Sequence, residues 1–369
     1  MIKYKFSKDI NKEFSLTLRQ RVNGYFKENE ISRQANSTMA IKVILVTSFY
    51  LGIFSIILFS GISNVAIMFL LWMLLGAGQA IIGTSIMHDV LHGSFSKNKW
   101  INAVMQIPII LIGVEPSIWK IQHNVLHHTY TNIEDADEDI APRYVLRLTE
   151  HQPRKWFHKY QHWYVSFFYS LLTIIWMTAK DFIKLTKYYK VGLVTKKETL
   201  GIFLNIVLRR VIFYGLFLVL PLNMLDFSAG TIVLMFVSML MVSGLSLSII
   251  FQTAHVVQGC VAVQNDEEHI KENWYVHQLM TTSNYAIENK WITYFFGALN
   301  YQVEHHLFPN ISHVHYPKIS KIVSETAAEY GIPYKCNSTF GSAIKNHYQH
   351  LKELGNNDTV AVTSTFRFA

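Results

Sequence analysis

Residues 65–92 read VAIMFLLWMLLGAGQAIIGTSIMHDVLH, an apolar run of membrane-crossing length that ends in two histidines four residues apart. A bilayer core needs about 20 apolar residues in helical conformation, so this stretch predicts a spanning helix. Three further runs approach the same length. Together they predict an all-α integral membrane protein with four transmembrane helices at about 41–60, 65–87, 203–222 and 229–254.

Most of the positive charges lie outside these runs, and their distribution predicts how the chain crosses the membrane. Two turns, Gly61–Asn64 and Asn223–Ser228, pair the runs into two hairpins and contain no lysine or arginine. The first 42 residues contain nine such residues, and residues 180–197 contain six lysines. Because positively charged loops stay on the cytoplasmic side, we predict that the N-terminus, the central segment and the C-terminal third are cytoplasmic. The membrane would be a bacterial inner membrane or the endoplasmic reticulum.

Some segments do not fit the pattern of four simple spanning helices. Residues 101–114 and 163–178 are apolar but short, and we predict interfacial or re-entrant helices there. Arg209 and Arg210 fall inside the third run, where we expect them to snorkel from a helix that projects beyond the membrane; a paired charge at depth is the alternative. Residues 318–330 and 342–354 have the pattern of amphipathic surface helices. We divide the chain into segments 1–40, 41–335 and 336–369.

Composition narrows the class of protein. Half of the 369 residues are apolar, and lysine plus arginine exceed aspartate plus glutamate by 8. A basic balance suits either nucleic acid or an anionic membrane face. The chain has no interleaved aromatic–basic patch, so we predict membrane lipids and no nucleic acid as partners. Cys260 and Cys336 form no CxxC pair, which argues against a disulfide framework or a thiolate metal site.

Eight of the 17 histidines form a pattern at the ends of the apolar runs. Residues three or four apart share one helix face, so each cluster should present its rings together, and the clusters should converge at one membrane face. Imidazole suits zinc, copper, iron and nickel. Eight histidines and the Gln302 amide exceed the needs of one metal ion and favour two. A redox-inert pair would carry out hydrolysis, whereas an iron pair can activate oxygen. The remaining histidines are interpreted as ordinary polar residues, with His277 as the reserve ligand.

The motifs HDVLHGS, HNVLHHTYTN and NYQVEHHLFP resemble the three histidine boxes of the membrane fatty acid desaturases, and the glutamine of the third box resembles the front-end branch, including linoleoyl-CoA desaturase-like proteins. The resemblance covers residues 30–335. It implies a cytosolic helical cap that holds two iron ions, and an O2-dependent enzyme that introduces a cis double bond into a long acyl chain on CoA, lipid or a carrier protein. The implied iron ligands are His88, His92, His123, His127, His128, His255, Gln302, His305 and His306.

Further residues are candidates for supporting roles. Metal-bound histidine usually donates its other N–H to a carboxylate or carbonyl, and the family pattern TNIxxxDxD implies such roles; a solvated acidic turn is the alternative. These support candidates are Asp89, Asn132, Asp137 and Asp139. Aromatic candidates for an acyl tunnel, with ordinary packing as the alternative, are Trp119, Trp274, Tyr301 and Phe308. Basic candidates for a phosphate-bearing head group, or for lipid phosphates, are Arg143, Arg147, Arg154 and Lys155.

The chain lacks the His-Pro-Gly-Gly motif of the haem-binding domain that many front-end desaturases carry, so we expect a separate electron donor, a ferredoxin or a cytochrome. Alternatives on the same scaffold are an alkyl hydroxylase, an acetylenase or a sphingolipid desaturase. A non-catalytic zinc-binding membrane protein or metal transporter is the alternative from a different class. A transporter would place ionisable residues within the spans, whereas these histidines follow the spans.

Overall fold

The computed structural model describes residues 4–141, 144–264 and 269–357, which are mainly helical. Two parallel pairs of two-residue strands are added to the predicted all-α fold: Lys5–Phe6 with His269–Ile270, and Asn284–Tyr285 with Cys336–Asn337. The helices are Lys12–Glu28, Ser37–Phe59, Val65–His92, Lys99–Leu111, Pro116–His127, Trp156–Tyr160, Gln161–Ser170, Leu172–Ile175, Trp176–Lys180, Asp181–Lys190, Lys196–Met224, Ala229–His255, Trp274–Thr281, Lys290–Phe295, Gln302–Leu307, His313–His315, Tyr316–Glu329 and Phe340–Asn356.

Four of these helices are long and apolar enough to cross a membrane, by length and composition, which confirms the predicted number. Capping residues explain where they begin. Asn36 and Asn64 accept hydrogen bonds from the first free backbone N–H groups of the first and second spans. Thr195 and Glu198 form a capping box at the start of the third span. The spans, in order, are Ser37–Phe59, Val65–His92, Lys196–Met224 and Ala229–His255.

The chain divides into two compact units. The histidine unit consists of the described residues within Met1–Ala35, Gln122–Val165 and Ile249–Ala369, and the span unit consists of Asn36–Ile121 and Ser166–Ser248. The last turns of the fourth span, including His255, therefore belong to the histidine unit.

Aromatic side chains and glycines pack the span unit. Phe217 of the third span contacts Phe54 of the first span, with ring centroids 4.7 Å apart, and Trp72 of the second span contacts Phe236 of the fourth at 6.3 Å. A Cβ atom at Gly76 would lie 2.2 Å from the Met239 carbonyl oxygen. The second and fourth spans therefore approach each other as closely as only a glycine allows.

A sharp bend lies within the first predicted short run. Lys99–Leu111 and Pro116–His127 meet at 99°, which agrees with a re-entrant or broken helix. Such a bend leaves carbonyl groups without helical partners. Arg209, which is buried, donates to the Val114 carbonyl at 3.0 Å, and Arg210 donates to the Gly113 carbonyl.

Arg210 also lies 2.5 Å from the buried carboxylate of Asp181. The snorkelling prediction for the two arginines is therefore wrong. A buried charge is tolerated where a countercharge and hydrogen-bond acceptors surround it, and the bend together with Asp181 supplies both.

The histidine unit has its own apolar core. Phe14, Leu18 and Val22 of the N-terminal helix pack with Ile319 and Val323. These last two residues lie on Tyr316–Glu329, which with Phe340–Asn356 confirms the two helices predicted near the C-terminus.

Arg147 is buried in the same unit, and its guanidinium donates to the carbonyls of Leu354 and Asn357 at the end of the last helix. The prediction that Arg147 meets a head group is therefore wrong, because these and other backbone carbonyls occupy its donors. Arg143 lies outside the described residues.

Candidate metal centre

Three segments of the histidine unit bring seven of the nine predicted ligands together. They are the end of the helix Pro116–His127, the end of the fourth span, and the short helix Gln302–Leu307. All seven side chains are buried: His123, His127, His128, His255, Gln302, His305 and His306.

The second histidine box lies on a π-helical turn, Ile121–His127. In such a turn the hydrogen bonds join residues five apart, and the His128 N–H donates to the His123 carbonyl at 2.9 Å. The ring centroids of His123 lie 5.2 Å from His127 and 4.7 Å from His128. The spacing of four residues predicted that the rings of His123 and His127 lie together. The π turn also brings the ring of His128 next to them.

The three segments form compact groups of nitrogen atoms. His127, His255 and His306 each offer one nitrogen within 4.8 Å of the others, and so do His128, His305 and His306. Two bonds of about 2.1 Å place ligand atoms at most about 4.2 Å apart. A small adjustment of the rings would therefore let either group bind a metal ion.

Within the described residues, His127 Nε2 and Gln302 Oε1 of this centre are buried and have no hydrogen-bond partner. Gln302 Nε2 lies 3.0 Å from His255 Nε2 and 3.4 Å from His306 Nε2. A half-turn of the amide exchanges its oxygen and nitrogen, so the oxygen can face the imidazole nitrogens. An imidazole nitrogen and an amide oxygen that lack partners in a buried site suit a bound cation.

A carboxylate supports His127 from behind. Asp137 is buried and lies 3.0 Å from His127 Nδ1. Burial lowers the pKa of His127, but the charge and hydrogen bond of Asp137, together with Asp139, outweigh this effect and raise the pKa to about 9. This attraction for positive charge is what a carboxylate behind a metal-bound histidine supplies.

Two of the other predicted support residues, Asn132 and Asp139, lie beside Asp137, and Asp139 is 3.6 Å from His127 Nδ1. Asn132 adopts a left-handed backbone conformation (φ 55°). Its N–H donates to Asp137 at 2.9 Å, and its side chain donates to the His255 carbonyl at 3.0 Å. Asp139 accepts from Gln122 at 2.7 Å. Asp89 is buried in the span unit, directly after His88.

His88 and His92 lie in the span unit, at the end of the second span. Their ring centroids are 4.6 Å apart, as the spacing of four residues predicts. Gly93, with φ 73°, ends the helix directly after the pair. The ring of Trp119, a predicted tunnel residue, contacts both histidines at 5.6 and 5.5 Å.

The remaining tunnel candidates pack within the histidine unit. Tyr301 and Phe308 are buried in its core, and the Tyr301 hydroxyl donates to the Ile287 carbonyl. Trp274 Nε1 donates to the His128 carbonyl at 3.3 Å. These contacts fit the packing alternative, and the tunnel lining stays a prediction.

The reserve ligand His277 has a different partner. Its Nε2 lies 2.7 Å from the Thr131 carbonyl, and burial lowers its pKa to about 4. His277 is therefore a neutral ring that donates to the backbone. The sequence reasoning missed its neighbour Gln278, whose side-chain oxygen lies 2.9 Å from His306 Nδ1. The only signal for Gln278 was its position beside His277 in WYVHQLMTT.

Known proteins resemble this chain over most of its length. The sequence profile of the family Fatty acid desaturase matches residues 63–338. An acyl-lipid (8-3)-desaturase of Physcomitrium patens is 34% identical over 351 residues, which cover 94% of this chain and 72% of that protein. A sn-1 linoleoyl-lipid 6-desaturase of Arthrospira platensis is 33% identical over 362 residues, covering 98% and 97%. A Delta(5) fatty acid desaturase A of Dictyostelium discoideum is 30% identical over 374 residues, covering 96% and 77%. This chain, with its buried histidine groups and four apolar helices, belongs to the fatty acid desaturase family.

Proposed function

We propose that this desaturase holds two iron ions and uses O2 to introduce a cis double bond into a long acyl chain. The observation that carries the proposal is the buried set of imidazole nitrogens around His127, His255 and His306. Imidazole is a suitable ligand for iron. The proposed ligands are the nine residues of the three boxes with His255: His88, His92, His123, His127, His128, His255, Gln302, His305 and His306.

The protein residues have distinct tasks in this proposal. Asp137 holds the His127 ring and favours positive charge there. Eight of the nine ligand side chains, all except His92, are buried, and this burial excludes water. Iron, when bound, supplies the activation of O2. In the balanced reaction, O2 takes two hydrogens from adjacent methylenes, with two electrons and two protons from outside, and two waters leave.

The substrate we propose is a lipid-linked acyl chain, desaturated in the front-end manner. The names of the Physcomitrium and Arthrospira relatives describe lipid-linked acyl chains as their substrates. An acyl chain offers no charged group near the reacting methylenes, so positioning has to select the bond. A separate ferredoxin or cytochrome would supply the electrons.

We also propose that the four spans form two hairpins and that the histidine unit is the cytosolic cap. The charge pattern supports this arrangement, because the turns between the spans carry no lysine or arginine, whereas the N-terminal and central segments carry many. The proposed cellular location is a bacterial inner membrane or the endoplasmic reticulum.

Expression in a host with a known fatty acid profile tests the activity. The wild type should yield an acyl product that has lost two hydrogens, and His127→Ala and His306→Ala should abolish that product and reduce bound iron. The control His162→Ala changes a histidine outside the ligand set and should retain activity. Desaturation that persists in both ligand variants would contradict the proposal. A product that gains an oxygen atom would identify a hydroxylase.

A further inference from the structure

We propose that Gln278 is a positioning residue of the metal centre, because its side-chain oxygen fixes the tautomer and the ring orientation with which His306 binds metal. The inference rests on the proposed function, since it takes His306 as a metal ligand. Gln278 is fully buried on the helix Trp274–Thr281, outside the three boxes.

Taken together, the polar contacts of the Gln278 side chain link the second box to the third. Its Oε1 lies 2.9 Å from His306 Nδ1 in the third box, and its Nε2 donates to the His128 carbonyl in the second box at 3.3 Å. The Thr131 hydroxyl donates to the same Oε1 at 2.9 Å and lies 3.2 Å from His306 Nδ1. Trp274, four residues earlier on the same helix face, also donates to the His128 carbonyl.

These contacts determine which way the amide points. A backbone carbonyl only accepts hydrogen bonds, so the His128 carbonyl must face the amide nitrogen of Gln278. The amide oxygen then faces His306 Nδ1, and because this oxygen only accepts, Nδ1 must carry the proton. The lone pair of His306 is left on Nε2, the nitrogen that lies 3.4 Å from Gln302. A neutral imidazole with a free Nε2 is the form that binds metal.

The support of His306 differs from that of His127. An Asp137 carboxylate holds His127, whereas a neutral amide holds His306. A supporting group of either kind fixes the ring, and its loss typically lowers metal affinity about 10–100-fold. A carboxylate at position 278 would keep the acceptor for His306 but lose the donor to the His128 carbonyl.

Cobalt(II) titration of the full-length protein in detergent, stripped of metal by a chelator and followed by visible absorption, tests the inference without measuring activity. Gln278→Met, which keeps the length but removes both polar groups, should bind cobalt(II) about 10–100-fold more weakly. Gln278→Glu, which keeps the hydrogen-bond acceptor for His306, should retain most of the wild-type affinity for cobalt(II).

The matched control is Gln161→Met. Gln161 is equally buried in the same unit, and its amide bonds the backbone of Arg147 and Leu351 rather than a ligand. This variant should lower the melting temperature and leave cobalt(II) affinity within about twofold of the wild type.

Wild-type affinity in Gln278→Met, or an equal loss of affinity in the two methionine variants, would overturn the inference. If Gln278→Met does not fold, the test rests on Gln278→Glu. A cobalt(II) affinity tenfold or more below that of the wild type in Gln278→Glu would then overturn the inference. Failure of the proposed function gives a different result, because His306→Ala would then bind cobalt(II) as tightly as the wild type.

Discussion

His127 and His306 lie in one buried group, with ring centroids 4.9 Å apart. Different side chains face their second ring nitrogens: Asp137 lies behind His127 and Gln278 lies behind His306. A carboxylate makes an imidazole more basic than a neutral amide does. The two rings should therefore be unequal donors to a metal ion, although the sequence motifs present both simply as histidines.

Asp137→Asn tests the carboxylate behind His127. The substitution keeps the shape of the side chain but removes the charge that raises the pKa of His127 to about 9. We expect metal affinity to fall about 10–100-fold, measured by cobalt(II) titration. Asp135→Asn is the control, because Asp135 is an exposed aspartate in the same turn. Equal affinities in the two variants would contradict a supporting role for Asp137.

The residues of the centre that sequence could predict are those with distinctive chemistry. Histidine clusters and a carboxylate pattern carry their own signal, and Asp137 was predicted for that reason. Gln278 was missed because a buried glutamine has no motif, and its role arises from a fold that brings residues 28 positions apart within 2.9 Å. The π turn was missed because a shift of the backbone hydrogen bonds to His123 leaves no mark in residue type.

At the scale of elements, length and apolarity predicted the four spans, because a bilayer sets the length of a helix that crosses it. The same reasoning failed for Arg209 and Arg210. Their partners, among them Val114 and Asp181, lie on other elements, and spacing along one helix does not reveal them. The close approach of the second and fourth spans likewise depends on a residue of another element, because Gly76 lies against the Met239 carbonyl.

The ion pair of Arg210 and Asp181 should contribute to the stability of the span unit. Arg210→Leu or Asp181→Leu alone leaves an uncompensated buried charge, which typically costs about 3–5 kcal/mol. The double variant should lose less than the sum of the two single variants, because no charge is then left alone. Unfolding free energies measured in mixed detergent micelles would give the coupling. Additive single effects would contradict it.

An exposed ion pair provides the control for that measurement. Arg21 and Glu329 lie 2.7 Å apart, but their side chains are 40% and 51% exposed. Solvent screens such a pair, which is worth about 0–1 kcal/mol. Arg21→Leu should therefore change stability much less than Arg210→Leu.

Gly76 should be essential for the contact between the second and fourth spans. A Cβ atom there would meet the Met239 carbonyl oxygen at 2.2 Å, so Gly76→Ala forces the two helices apart. We expect a loss of about 1–3 kcal/mol, seen as a lower melting temperature in detergent. Gly52→Ala in the first span meets nothing within 4 Å and should be neutral or slightly stabilising. A neutral Gly76→Ala would show that the spans are further apart.

At the scale of the whole molecule, the number of membrane crossings decides which side each segment occupies. Four spans place the N-terminus and the central segment on the same side. The helices Lys99–Leu111 and Pro116–His127 raise the number to five if together they form one crossing. Lys8 and Lys190 would then lie on opposite sides. The positive-inside pattern favours four, because both segments are rich in lysine.

Single-cysteine labelling on intact cells, with a maleimide that cannot cross the membrane, distinguishes these cases. Cys260 and Cys336 are first replaced by alanine. Ser63→Cys and Asp226→Cys, at exposed positions in the turns between spans, should react from outside. Lys8→Cys and Lys190→Cys should react only after the membrane is opened.

Comparing Lys8→Cys with Lys190→Cys decides between the two cases. The two positions are separated by two crossings if the protein has four spans and by three if the bend forms a fifth. Reaction of one and protection of the other would establish a third crossing and contradict the re-entrant interpretation of the bend. Protection of both means that the bend returns to the side it entered from. His88 and His92, which follow the second span, would then lie on the same side of the membrane as Lys8 and Lys190.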